Sequence, residues 1–139
     1  MNISQTERPV RAVVAIVIED DRWLTIERSS HVRAPGAFCF PGGGIEPGES
    51  IEQALVREMR KELSVEVQPV RWIWNSTSAT GVELFWWLVE LAYDQTIQPN
   101  LAEVESFHWL TIKEIRDLPK LLASNVAFLD SLENGEFQP

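Results

Sequence analysis

The chain has 139 residues, a length that suits one domain of residues 1–139 with a sizeable core. Hydrophobic residues make up 45%, too many for a disordered chain. The formal net charge of -9 argues against a protein that grips nucleic-acid backbones and leaves a phosphorylated small molecule open, since a metal cation can invert a local field.

Glu7 and Arg8 precede the apolar run AVVAIVI, which ends in EDD. That run is too short to span a bilayer, so neither a leader nor a membrane anchor is expected. Residues 11–18 are rich in β-branched side chains and read as a buried strand. EDDR reads as a turn, and WLTIER as the partner strand of a hairpin. Residues 29–37, SSHVRAPGA, have loop chemistry. His31 and Arg33 there are a basic pair, either exposed or able to touch a substrate phosphate. FCF reads as a short strand, with Cys39 as a small buried hydrophobe. A single cysteine forms no internal disulfide, which fits a reducing, cytoplasmic location.

FPGGGIEPGES follows, and it sets three glycines beside acids. Glycine permits positive φ and close approach of backbone to a ligand. Ser50 and Gln53 have capping-box spacing at the start of a helix expected to end near Leu63. Leu55, Val56, Met59 and Leu63 share its core face, while Glu58 and Glu62, four apart, line the edge of that stripe. Carboxylates one turn apart can hold a hard cation such as Mg²⁺ that is shared with substrate phosphates.

VEVQPVRWIWN reads as a strand in which Pro69 implies an edge, a bulge or a break. VELFWWLVEL reads as a long strand buried on both faces, serving as core or as an interface. Adjacent Trp86 and Trp87 must point to opposite faces. Trp72 or Trp74 is the candidate for base stacking. VESFHWL reads as a further strand in which His108 is structural, and Thr111 with Glu114 caps a short helix. A final amphipathic helix is expected from Pro119 to about Leu132, with Leu121, Leu122, Val126 and Leu129 on its core face, followed by a frayed tail, NGEFQP. The mixture of strands and helices gives an α/β class, a layered domain with a mixed β-sheet between helices.

Five residues separate Gly43 from Glu49, and seven separate Glu49 from Arg57 and Glu58; Met59 and Glu62 follow in register. This spacing resembles the box of the Nudix hydrolase family, Gly-x5-Glu-x7-Arg-Glu-U-x-Glu-Glu-x-Gly-U, where U is a bulky aliphatic. The lead-in FPGGGIEPGES is also similar to that family's. Two positions depart: Lys61 stands where the pattern has the first Glu of its pair, and Ser64 where it has Gly.

The resemblance implies a Nudix-like α/β/α sandwich and water attack on a phosphorus of a nucleoside diphosphate linked to another group. It implies Mg²⁺ or Mn²⁺ on Glu58 and Glu62, with a backbone carbonyl near Gly42 or Gly43 as a further ligand, and Gly42, Gly43 and Gly44 as the supporting loop. Arg57 and Glu49 pair to orient loop and helix. A glutamate outside the box serves as another ligand or as the general base, Glu103 first and Glu105 second. The partner is a nucleotide-type small molecule and no nucleic acid or membrane, with the protein a monomer or a homodimer. Ala79, Thr80, Gly81 and Val82 include neither the proline nor the tyrosine that marks some subgroups, and the short chain leaves little room for an added substrate domain, which favours a nucleoside triphosphate or a small nucleoside diphosphate derivative. Lys61 leaves a second possibility, a weak or inactive nucleotide-binding domain in which its ammonium takes the place of a cation.

Overall fold

The computed structural model describes residues 10–139; Glu7 and Arg8 lie outside them. The order is β1 (Arg11–Ile16), β2 (Ile18–Glu19), β3 (Arg22–Arg28), β4 (Phe38–Cys39), β5 (Gly42–Gly44), α1 (Ile51–Leu63), β6 (Val67–Thr77), β7 (Glu83–Leu91), β8 (Val104–Leu110), α2 (Ile112–Arg116) and α3 (Ala123–Glu133). Strands β5, β1, β7 and β6 form one sheet in that order. It is mixed, because β1 runs parallel to β7 and antiparallel to β5. A second, antiparallel sheet joins β2, β3, β4 and β8 around β3.

Side-chain alternation along β1 explains the layers. Val13, Ala15 and Val17 pack with Leu55, Met59 and Leu63 of α1. Val14 and Ile16 face the other way and join Trp86, Ile115, Phe128 and Leu129, so α2 and α3 cover that side. Each of these large side chains is almost fully buried, worth roughly 1.5–3 kcal/mol apiece. Trp86 and Trp87 divide between the two clusters, as the strand geometry requires. β7 lies between β1 and β6, and Leu84, Phe85, Trp86 and Val89 of LFWWLV are buried in the core.

Local chemistry holds the elements. Asp20 and Asp21 both have positive φ, 52° and 63°, as a two-residue hairpin turn demands. Both capping boxes form, at Ser50 with Gln53 and at Thr111 with Glu114. β6 is an edge strand, and its register shifts between Pro69 and Arg71.

Four expectations change. Val56 is only half-buried, and Ala54 takes its place in the core. The last helix begins at Ala123 rather than Pro119, because the preceding backbone is drawn into the sheet. Phe38 N–H donates to Lys120 O at 2.8 Å, and Leu122 N–H donates to Phe38 O at 3.0 Å. That helix buries Phe128 and Leu129 most deeply and leaves Val126 half-buried. The tail is docked rather than frayed, with Phe137 4.8 Å from Phe128 and 5.4 Å from Trp74 between ring centres. Trp74 is thereby committed to packing, and Trp72, 53% exposed on the edge strand, is the tryptophan still free to stack.

Candidate active site

The three glycines are a strand rather than a loop, and none of them has positive φ. Their lack of a side chain serves close approach. A Cβ on Gly42 would overlap Val13 O, and one on Gly43 would overlap the Glu58 carboxylate. β5 pairs with β1 on one side only, so its other edge presents backbone groups that need partners. Ala15 N–H donates to Pro41 O and Ile45 N–H to Arg11 O, with Val13 opposite Gly43. Alternation therefore turns the Gly43 backbone groups toward Val13 and those of Gly42 and Gly44 outward. Helix α1 meets that edge: Gly42 N–H donates to Glu62 Oε1 at 3.1 Å, and Arg57 Nη2 donates to Gly44 O at 2.7 Å. Among the expected backbone ligands, Gly42 rather than Gly43 thus has the carbonyl directed at the helix.

Arg57 is the brace. Its Nε and Nη2 donate to Glu49 at 2.7 and 2.9 Å, and its Nη1 donates to Glu58. The guanidinium holds Glu49 below the usual carboxylate range. Glu58 and Glu62 are buried to 4% and 6% relative exposure, although both are ionisable side chains. Burial raises Glu58. Burial, with Glu58 alongside, pushes Glu62 up to about 8.

Lys61 Nζ lies 3.8 Å from Glu58 Oε2 and 3.4 Å from Glu103 Oε1, and Glu58 raises its pKa, so the ammonium stays charged. Ser64 occupies the left-handed cap that the family fills with glycine, at φ 59°. An open cleft of about 410 Å³ gathers Gly42, Gly43, Glu58, Lys61, Glu62 and Glu103, with Arg28 on its wall.

The structure separates the remaining candidates. Glu103 lies in the cleft, whereas Glu105 is exposed outside its lining. Arg33 and His31 are exposed and absent from it; Arg33 contributes its carbonyl oxygen, which accepts from Arg28 Nε at 2.6 Å. Arg28 is the cleft cation that sequence reasoning missed, and the only hint was its place at the end of β3. Asn125 was missed as well. Its Oδ1 accepts from Phe40 N–H at 2.9 Å, and it lines a cavity of about 160 Å³ that also meets Arg28, Cys39 and Glu62. Burial pushes the Cys39 thiol up to about 12, which fits a protonated packing group. His108 Nε2 is 2.9 Å from Ser106 Oγ on its own strand, a structural role.

The donor set suits a hard cation: buried carboxylate oxygens, a backbone carbonyl and a glycine cradle that a side chain would fill. Among the described residues, no group of three His, Cys, Asp or Glu side chains is arranged to hold a metal ion. Lys61 Nζ lies between Glu58 and Glu103.

Comparison with known proteins agrees with this architecture. Over 108 residues the chain is 30% identical to an NAD-capped RNA hydrolase, NudC, of Stutzerimonas stutzeri (strain A1501), covering 78% of this chain and 38% of that protein. Over 57 residues it is 42% identical to a CTP pyrophosphohydrolase of Escherichia coli (strain K12), covering 41% of this chain and 42% of that one. The chain thus spans less than half the length of these curated relatives. In fold it is similar to a MutT protein of Methanosarcina mazei Go1, with TM-score 0.75, 20% identity and coverage of 94% and 97% of the two chains. It is also similar to a NUDIX hydrolase from Nitrosomonas europaea, with TM-score 0.73, 25% identity and coverage of 95% and 93%. With the description "NUDIX domain" matching residues 8–132, and with the box residues meeting at one cleft, the chain belongs to the NUDIX domain family.

Proposed function

We propose that this chain is a metal-dependent pyrophosphohydrolase that acts as one domain on a nucleoside diphosphate linked to another group, by water attack at phosphorus. The observation that carries the reading is the pair Glu58 and Glu62, buried one helical turn apart against the outward edge of Gly42 and Gly43. Isolated buried carboxylates are unfavourable unless a cation or hydrogen bonds compensate them. Arg57 satisfies one side of Glu58, and Gly42 N–H meets only one oxygen of Glu62.

Glu58, Glu62 and the Gly42 carbonyl would hold Mg²⁺ or Mn²⁺. Such an ion, when bound, withdraws charge from phosphoryl oxygens and acidifies a water. The protein's own part is to fix the oxygens that receive it. Arg57 holds Glu58, Glu49 and the Gly44 carbonyl together, so helix, loop and strand stay in register. Glu103 Oε1 is the candidate to accept the proton of the attacking water, and Lys61 Nζ, 3.4 Å away, orients that carboxylate. The names of the relatives, an NAD-capped RNA hydrolase and a CTP pyrophosphohydrolase, support a nucleotide-type substrate. Among the described residues no helix is long and apolar enough to cross a membrane.

Lys61 favours a second reading in which the chain binds nucleotide with little turnover, because its ammonium already sits on two of the carboxylates. One assay separates the two. The purified protein is incubated with nucleoside triphosphates, NAD, nucleotide sugars and NAD-capped RNA, with and without Mg²⁺ or Mn²⁺, and phosphate products are followed. Hydrolysis that needs the metal and disappears in Glu62→Gln supports the enzyme. Nucleotide binding without metal and without product supports the binding domain.

A further inference from the structure

Lys61 replaces a carboxylate in the box, and its surroundings define what it offers instead. It projects from α1, while Glu103 belongs to the segment just before β8; their ion pair therefore joins two parts of the cleft wall that are remote in sequence. The ammonium is 3.4 Å from one carboxylate and 3.8 Å from the other, and 49% of its side chain is exposed. An ammonium carries three N–H donors, and neither contact is a short hydrogen bond, so donors remain for a group that enters the cleft.

Glu58 and Glu62 contrast with this. Both are buried against the β5 edge, and the Glu58 carboxylate lies where a Gly43 side chain would be. The cleft therefore has two halves. On the β5 side, the Glu58 and Glu62 carboxyls are met by Arg57, which donates to Glu58, and by Gly42 N–H, with Arg28 on the wall. On the Glu103 side, Lys61 already supplies the positive charge, and a divalent cation arriving there would meet it at contact distance.

We infer that the site takes a single divalent cation, at Glu58 and Glu62, and that Lys61 acts as a fixed monovalent cation on the Glu103 side that contacts the substrate diphosphate directly. This rests on the hydrolase-site reading above and adds the number of ions and a substrate contact. Glu103 positions Lys61. A fixed ammonium at this spot needs no recruitment from solution, and it meets phosphate as a point charge.

The test counts ions and measures pyrophosphate binding. Mn²⁺ titrations followed by electron paramagnetic resonance use the wild type, Lys61→Met and Lys61→Glu, each with its fold checked by circular dichroism. One ion is expected in the wild type and in Lys61→Met, and two in Lys61→Glu. Pyrophosphate affinity at saturating Mn²⁺, measured by calorimetry, should fall about tenfold in Lys61→Met and be largely kept in Lys61→Arg. Two ions in the wild type, one in a folded Lys61→Glu, or unchanged pyrophosphate affinity in Lys61→Met would overturn the assignment. Should Lys61→Glu not fold, the wild-type count and the Lys61→Met affinity decide alone. Both readouts measure binding, so the expected pattern upholds the role of Lys61 even in a protein without turnover, an outcome that would count against the hydrolase reading only.

Discussion

Glu62 Oε1 accepts the Gly42 N–H at 3.1 Å, which ties the last turn of α1 to the open edge of β5. A strand edge and a helix face that are 20 residues apart are thereby joined by one buried carboxylate. The same contact fixes the helix rotation that turns Glu58 toward Gly43. Catalytic groups held by packed elements keep their geometry better than groups on loops.

Gly43 has no room for a side chain, and Gly44 does. A Cβ on Gly43 would run into Glu58, whereas on Gly44 the nearest atom would be 4.0 Å away. Gly43→Ala should cost about 1–3 kcal/mol in denaturant unfolding and weaken Mn²⁺ binding. Gly44→Ala should change neither by much. Equal effects of the two would show that the crowding at Glu58 relaxes freely.

Glu62 sets a pH dependence whose sign follows from its burial. The folded carboxyl holds its proton up to about 8, whereas the unfolded chain releases it in the ordinary carboxylate range. The folded state thus binds more protons between those limits, and its stability falls as pH rises through them. Calorimetry of the metal-free protein should show Tm falling from about pH 5 to about pH 8 more steeply than in Glu62→Gln. Mn²⁺ affinity should rise over the same window, because binding must displace that proton. Parallel Tm profiles for the two proteins would refute the assignment.

Arg57→Lys keeps the charge and loses the fork. The native guanidinium reaches Glu49, Glu58 and Gly44 O together, which one ammonium cannot do. Mn²⁺ affinity and turnover should both drop by roughly 10–100-fold. A variant within twofold of the wild type would mean that Glu49 and Glu58 hold their places without the brace.

Ser64 carries a left-handed conformation, φ 59°, that glycine adopts without steric cost. Ser64→Gly should stabilise the fold by about 0.5–1 kcal/mol, read as a higher Tm, with turnover unchanged. A lower Tm would mean that the serine hydroxyl contributes a bond worth more than the strain.

The sequence by itself determined the local features, because each depends on neighbours in the chain. The two capping boxes, the Asp20–Asp21 turn, the Pro69 irregularity, the opposed faces of Trp86 and Trp87 and the one-turn stacking of Glu58 on Glu62 follow from backbone periodicity and local hydrogen bonding. Box spacing alone was enough to name the family. Tertiary structure decided whatever depends on which distant surface a group meets. Only pairing with β1 makes a strand of Gly42–Gly44 and directs the Gly42 rather than the Gly43 backbone to the helix. Only the sheet contact at Phe38 delays α3 to Ala123, and only packing on Phe128 anchors Phe137. Arg28 enters the site, Asn125 lines the adjoining cavity, and Arg33 leaves the site, through contacts across the fold that no local period encodes. Lys61 belongs to both accounts: its departure from the pattern is written in the chain, and its seat between Glu58 and Glu103 exists only once α1 and the segment before β8 have come together.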